Sequence, residues 1–385
     1  MRYTSIESEI PIYDEGFVQS LSADEGVRRF NWTLFVLQIL IFIIGIWNLM
    51  SATAVEDKSM GLYRSQLMWF GVGLGITGII LLFHYSLLSR LAYVIYFVNI
   101  LMLIAVFFVG KKTLGAQRWI GFAGIGGQPS EFMKISLVIA LAKYFESDKT
   151  VRGYRLRELI VPSLIAALPV GLIILQPDFG TAVVLLLTFG TMLLFLKIDP
   201  KTLTILAVLA SIAAPVTYQF GLRDYQRRRI VAFLDPHADP LGANYNQWQS
   251  IVAVGSGRLF GKGYQKGTQS QLKFLPEHHT DFIFSVFSEE HGFFGATILL
   301  SLYMMFMFNG LAVAHQSNDK FGMLCALGIV TVFFWHTFIN LGMVTKLLPV
   351  VGVPLPYMSY GGSFLITCML GTAILLNISS KKFMF

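Results

Sequence analysis

Residues 34–47 read LFVLQILIFIIGIW, and apart from Gln38 they present apolar or small side chains on every face of a helix. A helix needs about 20 such residues to cross the hydrocarbon core of a bilayer. The charge-poor run that contains this stretch, residues 31–51, is long enough. The stretch therefore predicts a membrane-spanning helix.

Nine further charge-poor runs follow, which predicts an all-α, polytopic integral membrane protein with about ten transmembrane helices. The ten predicted spans lie near residues 31–51, 66–85, 91–110, 130–146, 157–175, 179–197, 201–220, 282–314, 322–342 and 362–380. The run at 282–314 is too long for one simple crossing. We therefore expect its first turns, with Glu289 and Glu290, at the membrane interface or in a cavity.

The composition of the whole chain supports this prediction. Of its 385 residues, 55% are hydrophobic and 13% are charged, whereas globular domains carry roughly 25% charged residues. Cys325 and Cys368, the two cysteines, lie in apolar runs, which excludes a disulfide-stapled secreted scaffold. The net charge is +7, but the bases lie in loops between apolar runs, so we attribute them to membrane orientation and predict no nucleic-acid partner.

The distribution of Lys and Arg predicts the orientation of the chain. Ten crossings place both termini on one side, and a cytoplasmic N-terminus puts more bases into the cytoplasmic segments than into the short external loops. Residues 1–30 are then a cytoplasmic tail and not a cleaved signal peptide. Residues 31–385 form a single membrane domain, with a long external loop at about 221–281 between the seventh and eighth spans.

The end of this external loop holds the first candidate site. Five glycines together with Arg258, Lys262, Lys266 and Lys273 predict a flexible cationic segment on the outer face, suited to phosphate oxygens. Asp281 then lies where the eighth span begins. Either Thr280 or Asp281 caps the helix, or Asp281 is a general base whose affinity for protons is raised by partial desolvation. A metal site formed with Glu277, His278 and His279 is a third alternative, although no zinc-type spacing is present.

A second candidate site opens the fourth span. Ser130 is predicted to cap this helix. Glu131 and Lys134 are three residues apart, which places them on one face. Ionisable residues inside a span usually face a cavity or a partner, so the pair is either a structural ion pair or part of an external cavity. The Ser-x-x-Lys motif of penicillin-binding enzymes is absent.

Two shorter segments are also candidates. Residues 176–181, QPDFGT, form a predicted external turn in which Asp178 is either a helix cap or a site acid. Residues 349–363, PVVGVPLPYMSYGGS, carry three prolines and three glycines, so they cannot form a regular helix at membrane depth unless protein shelters their backbone. We interpret them as a re-entrant segment, which Lys346 precedes.

Four segments, in this order, resemble motifs of the SEDS family (shape, elongation, division and sporulation proteins). They are GAQRWIGFAG with QPSEFMK, then QPDFGTA, then GTQSQLKFLPEHHTDFIFSVFSEEHGFFG, and then PVVGVPLPYMSYGGS. With the ten spans and the long loop, the resemblance covers nearly the whole chain. The GTQS before LPEHHTDF is more similar to the rod-shape branch of the family than to its division branch.

The resemblance implies a peptidoglycan glycosyltransferase that polymerises lipid II into β-1,4 glycan strands at the outer face of the bacterial cytoplasmic membrane, for cell elongation and rod shape. Asp281, which matches the Asp of the family's HTDF motif, is then the general base. The substrate-binding residues that we predict with it are Glu131, Lys134, Arg118, Asp178 and Lys346.

The resemblance also implies a divalent cation, magnesium or manganese, whose ligands the sequence does not identify. The implied partners are a class B penicillin-binding protein, which cross-links the glycan, and other membrane proteins of the elongation machinery. A lipid II flippase is the alternative function. Transporters place charges near the midplane in broken helices within inverted repeats, whereas Asp281, Asp178 and Glu131 map to the outer ends of predicted spans, which favours the enzyme.

Cysteine labelling tests the predicted topology. A single cysteine at Lys266, in a protein that lacks Cys325 and Cys368, should react with an impermeant thiol reagent added to intact cells, because we predict this loop to be external. A cysteine at Arg152 should react only after the cells are opened. The reverse pattern would contradict the placement of the candidate site on the outer face.

Overall fold

A computed structural model describes residues 30–54, 61–113, 116–122, 125–147, 153–221, 224–235, 243–272 and 279–381. The helices are α1 (Trp32–Ala52), α2 (Leu62–Leu82), α3 (Ser86–Val109), α4 (Pro129–Glu146), α5 (Ile160–Leu175), α6 (Phe179–Phe195), α7 (Pro200–Val216), α8 (Asp224–Leu234), α9 (Ala243–Ser256), α10 (Thr268–Gln271), α11 (Ile283–His315), α12 (Lys320–Val344) and α13 (Gly362–Lys381). A π-helical turn, Thr217–Gly221, extends α7. All but the last residue of the predicted tail, residues 1–30, lies outside the described residues.

Each of the ten predicted spans coincides with a helix, and the predicted all-α integral membrane fold is confirmed. Six helices, α1, α2, α3, α11, α12 and α13, are long and apolar enough to cross a membrane by length and composition. Helices α5 and α6 and the described start of α7 are apolar but shorter. Helix α4 carries charged residues at both ends. Ten crossings, and the side on which each loop lies, stay predictions.

The most enclosed helices are α4, α12 and α13. In the apolar 18-residue stretch of each helix, 78% of α12 and 83% of α13 is buried inside the protein, whereas only 17% of α2 is buried. Almost the whole of α4 is buried as well. A helix with charged residues in its first turns is costly against lipid and is expected in the protein interior. Helices α1 to α3 instead leave broad apolar faces for lipid.

A small residue brings α4 and α12 close together. A Cβ added to Gly328 of α12 would lie 2.5 Å from Cγ1 of Val138 on α4, closer than real side chains approach. Small residues at such interfaces allow membrane helices to pack by van der Waals contact, since lipid offers no hydrophobic drive for association. This close packing brings the side chains of α4 and α12 within contact of one another.

The loop between α3 and α4 contains a small antiparallel sheet that the sequence analysis did not predict. Its strands are β1 (Lys111–Thr113), β2 (Ala116–Phe122) and β3 (Ile125–Gly127), in the order β1-β2-β3. Trp119 pairs with Lys111, and Ile120 pairs with Gly127. Most of the motif GAQRWIGFAG therefore forms the central strand, and this strand carries Arg118 to the start of α6, beside Asp178.

The segment after α9, residues 257–269, is bound to the first turns of α11. The Glu289 carboxylate is fully buried there and accepts hydrogen bonds from Lys262 Nζ at 2.6 Å and from the backbone N–H of Thr268 at 2.8 Å. The backbone N–H of Phe293 donates to the carbonyl of Arg258 at 2.8 Å. Lys262, one of the four bases of the predicted flexible cationic segment, is therefore paired with Glu289. The flexibility and phosphate binding of the segment stay predictions, and Lys273 lies outside the described residues.

Gly292 creates the kink that makes this packing possible. Its φ of 66° and ψ of −164° interrupt the helical conformation inside α11. Only glycine adopts this combination readily. The kink separates the first turns, in which Glu289 and Glu290 are buried against protein, from the longer apolar part of the helix. The expectation that these acids lie at the membrane interface or in a cavity is therefore not met, because both are buried against protein.

Replacement of Gly292 by alanine should destabilise the protein by at least about 1–3 kcal/mol, the cost of backbone strain in this region. The added Cβ would also lie 2.3 Å from the backbone nitrogen of Gly261. Gly255→Ala in α9 is the matched control, because no described atom lies within 4 Å of its added Cβ. Thermal unfolding in detergent should show a lower Tm for Gly292→Ala only. Equal Tm values for both variants would contradict this packing.

Candidate active site

Asp281 lies immediately before α11 and is partly exposed. The N-cap of α11 is Phe282, so the alternative in which Thr280 or Asp281 occupies the cap is wrong. The amide of Asn340 donates to the backbone carbonyl of Asp281 and to that of Val353, both at 2.8 Å. One side chain of α12 thus fixes the backbone of Asp281 against the segment that precedes α13.

That segment, residues 349–361, is neither helix nor strand, as its prolines and glycines predicted, and is called the rim below. The rim pairs with the residues around Asp281. The backbone N–H of Tyr360 donates to the carbonyl of His279 at 3.0 Å, and the hydroxyl of Ser359 donates to the carbonyl of Thr280 at 2.7 Å. The rim therefore holds the residues directly before α11 in one place.

The rim also passes close to the Asp281 carboxylate. Gly352 has a φ of +73°, and a Cβ added there would lie 3.2 Å from Oδ2 of Asp281. This conformation favours glycine over residues with a Cβ. A glycine at this position lets the rim approach the carboxylate without covering it with a side chain.

Lys134 and Glu131 form the predicted ion pair inside α4. Lys134 Nζ lies 2.7 Å from Glu131 Oε2, and the two side chains are 0% and 6% exposed. The same ammonium lies 2.8 Å from Nε2 of His336 on α12 and 5.2 Å from the ring centroid of Phe364 on α13. Three helices therefore surround one buried cation.

Asp178 accepts hydrogen bonds from several elements. Gln128 Nε2 and Ser130 Oγ donate to its Oδ2 at 2.8 and 3.2 Å, and Arg118 Nη1 lies 3.9 Å from its Oδ1. Asp178 is also the N-cap of α6, where it accepts from the backbone N–H of Thr181 at 3.4 Å. The helix-cap alternative is therefore confirmed, and Arg118 of strand β2 places a cation beside the same carboxylate.

The prediction that Ser130 caps α4 is wrong. The N-cap is Gln128, and Pro129 opens the helix. Proline is favourable there because its missing N–H has no partner in the first turn of a helix. The Ser130 hydroxyl instead reaches Asp178, an acceptor that no local pattern in the sequence identifies.

A close approach of two backbones and a hydrogen bond join these groups at one end of the helix bundle. A Cβ added to Gly180 at the start of α6 would lie 2.7 Å from the carbonyl oxygen of Val351 in the rim. The backbone N–H of Gln128 donates to the hydroxyl of Ser363 at the start of α13. The starts of α4, α6, α11 and α13 thus meet at the rim, which places Asp281, Asp178 and the Glu131–Lys134 pair around one segment.

Lys346 lies apart from this group. Its ammonium lies 5.6 Å from the ring centroid of Trp248 on α9, and its backbone has a positive φ of 61°. None of its contacts among the described residues is with Asp281 or Lys134. The substrate-binding role of Lys346 stays a prediction.

His336 is a site residue that the sequence analysis missed. It is buried inside α12, and an ionisable residue within an apolar span is itself a signal of function. The groups that face the candidate site include no set of three or more His, Cys, Asp or Glu side chains that could hold a metal ion, as far as the described residues extend. Glu277 and His278, part of the alternative metal site, lie outside those residues.

Comparisons with known proteins match nearly the whole chain. The peptidoglycan glycosyltransferase MrdB of Escherichia coli K12 is 37% identical over 351 residues, which cover 91% of this chain and 92% of that protein. The crystal structure of the rod shape determining protein RodA of Thermus thermophilus superposes with a TM-score of 0.68 at 28% identity, covering 92% and 97% of the two chains.

A solved structure described as structural coordination of polymerization and crosslinking by a peptidoglycan synthase complex contains a chain that is similar as well. It has a TM-score of 0.79 and 30% identity, and the likeness covers 92% of this chain and 98% of that one. The family model FTSW_RODA_SPOVE, described as cell cycle protein, matches residues 29–383. The chain belongs to this family of FtsW, RodA and SpoVE proteins, the SEDS family that its four motifs resemble.

Proposed function

We propose that this chain is a peptidoglycan glycosyltransferase that polymerises lipid II at the outer face of the bacterial cytoplasmic membrane, for cell elongation and rod shape. The names of its relatives support the activity, since MrdB of Escherichia coli and RodA of Treponema pallidum are both called peptidoglycan glycosyltransferases. The names MrdB and RodA among these relatives also support the rod-shape branch.

One observation carries the assignment of roles. The rim passes the Asp281 carboxylate at Gly352, where an added Cβ would lie 3.2 Å from Oδ2, and two residues later the carbonyl of Pro354 contacts His336, which holds Lys134. A partly exposed carboxylate and a buried cation therefore lie on either side of the same short segment. A glycosyl transfer to a hydroxyl group, with a phosphate leaving group, needs a base and a cation.

Asp281 acts as the general base in this proposal. It takes the proton of the 4-hydroxyl of the acceptor N-acetylglucosamine, and that oxygen attacks the anomeric carbon of the donor N-acetylmuramic acid. The bond from this carbon to undecaprenyl pyrophosphate breaks. One direct displacement on an α-linked donor inverts the configuration and forms the β-1,4 bond. No second carboxylate is required as an acid, because pyrophosphate leaves without protonation, unlike the leaving group of a glycosidase.

The cations near the rim stabilise the departing pyrophosphate. Lys134 donates to Glu131 and His336, and its side chain is 0% exposed. The proposal therefore requires a donor phosphate oxygen to reach the third N–H by displacing the ring of Phe364, which lies 5.2 Å from the ammonium. Arg118 is partly exposed, with 32% of its side chain accessible, and its guanidinium is held by the carbonyls of Gln176 and Pro177. Fixed cations that face developing negative charge are a strong source of transition-state stabilisation.

Among the described residues, no group of three or more His, Cys, Asp or Glu side chains could hold a metal ion. The magnesium or manganese ion stays a prediction from the family resemblance. A class B penicillin-binding protein is the partner that we propose. The likeness to a chain of a peptidoglycan synthase complex, which coordinates polymerization and crosslinking, supports such a partner.

Asp281→Asn should reduce lipid II polymerisation by roughly 100-fold or more, because positioned proton transfer typically contributes about 10²–10⁴. The amide keeps the size of the side chain but takes no proton at neutral pH. The measurement is lipid II turnover by purified complexes with the partner, matched by size-exclusion profile and Tm.

Asp319→Asn is the matched control for this variant. Asp319 is the N-cap of α12 and accepts from the backbone N–H of Gly322 at 2.9 Å, a role that Asn performs as well. It should keep near wild-type turnover. A wild-type rate for Asp281→Asn would remove the named base, and lipid II transport without polymerisation by the wild-type protein would favour the flippase.

Exchange of the charges at Glu131 and Lys134 tests whether the pair is only structural. The exchange keeps the pair neutral, although it also removes the hydrogen bond from Lys134 to His336, so folding is measured together with polymerisation. If Lys134 faces the substrate, the exchanged protein should fold but stay inactive. The control is the same exchange at Lys143 and Glu146, a half-exposed pair of the same spacing in α4, 2.8 Å apart. Normal polymerisation by the Glu131–Lys134 exchange would contradict the substrate-binding role.

A further inference from the structure

His336 contacts one group that only accepts hydrogen bonds and one group that only donates them. Its Nδ1 lies 3.1 Å from the carbonyl oxygen of Pro354 in the rim, and its Nε2 lies 2.8 Å from Nζ of Lys134. The side chain is only 2% exposed, and its ring lies 4.8 Å from that of Phe364. Both ring nitrogens are therefore occupied by protein groups.

These partners allow one arrangement of protons on the imidazole. A carbonyl oxygen only accepts hydrogen bonds, so Nδ1 carries the proton that it receives. An ammonium only donates, so Nε2 presents its lone pair to Lys134. His336 is thus a neutral imidazole in a single tautomer, and its basic nitrogen is directed at the cation and not at solvent or substrate.

We propose that His336 is a positioning residue for Lys134, which it aims at the pyrophosphate of the lipid-linked donor. The inference rests on the proposed function, in which Lys134 stabilises the leaving group. With Glu131 and His336 each accepting one N–H, the ammonium cannot rotate freely, and its third N–H has a fixed direction. His336 itself is not a catalytic residue, since neither nitrogen is available to a substrate.

An uncharged acceptor suits this role better than a second carboxylate. Glu131 already balances the charge of Lys134. A second acid at position 336 would leave the pocket with net negative charge and would repel a pyrophosphate. A neutral imidazole directs the ammonium without cancelling its charge.

The contact with Pro354 couples the cation to the rim. Pro354 lies two residues after Gly352, where an added Cβ would lie 3.2 Å from Oδ2 of Asp281. The rim carbonyl fixes the tautomer of His336, and the tautomer fixes the acceptor for Lys134. The distance between the general base and the cation is therefore set by one short segment and one side chain.

Substitutions that keep or remove the acceptor test the proposal. The amide of His336→Gln can donate to Pro354 and accept from Lys134, whereas His336→Leu fills the space without either bond. Thr337→Val is the matched control, since the Thr337 hydroxyl donates only to the carbonyl of Phe333 in its own helix. His336→Asn, whose shorter amide does not span both partners, replaces the Leu variant if that variant does not fold.

Polymerisation of lipid II by purified complexes should fall at least about ten-fold for His336→Leu or His336→Asn and stay within about three-fold for His336→Gln, because small displacements of catalytic groups are costly. Thr337→Val should match the wild-type protein. A wild-type rate for the Leu variant, or an equal loss for the Gln variant, would overturn the proposal.

A double-mutant cycle on thermal unfolding separates this inference from the proposed function. The Tm shifts of Lys134→Met and His336→Leu should not add, because each removes the same contact. Additive shifts would overturn the coupling of the two residues, whether or not the protein polymerises lipid II. A wild-type protein that does not polymerise lipid II, with non-additive shifts, would refute the proposed function and leave the contact between His336 and Lys134 established.

Discussion

The buried ammonium of Lys134 is the constraint on which the centre of the structure depends. A charge inside a membrane protein needs partners within the protein, and these come from Glu131 on the same helix, His336 on α12 and Phe364 on α13. Removal of one partner from a buried pair typically costs about 3–5 kcal/mol. The short, charged helix α4 is therefore enclosed by α12 and α13 and not exposed to lipid.

The rim imposes a second requirement, because irregular backbone at membrane depth leaves carbonyl groups without helical partners. Polar side chains of the spans supply the missing donors. Asn340 donates to Val353, His336 donates to Pro354, and Tyr303 donates to Pro356. These polar residues of α11 and α12 thus satisfy the carbonyl groups of the rim. The same hydrogen bonds hold the backbone around Asp281.

Asp281, the general base of the proposed reaction, lies next to a helix start that several contacts hold in place. Asp281 precedes the first turns of α11, which α1 holds from one direction, through a hydrogen bond from Asn48 to the carbonyl of Ile283 and one from Ser51 to Glu290. Glu289 binds the segment 257–269 to the same turns. Sites held by such supporting contacts keep their geometry more closely than sites on unrestrained loops.

The sequence by itself determined the ten apolar helices, the i, i+3 spacing of Glu131 and Lys134 and the irregular rim, because hydrophobic runs, helical periodicity and proline act locally. Only the tertiary structure decided the partners. His336 is 202 residues from Lys134 in the chain, and Ser130, which local pattern assigned to a helix cap, bonds to Asp178 instead. The partner of a buried polar group depends on which helices pack together, and no local pattern records that order.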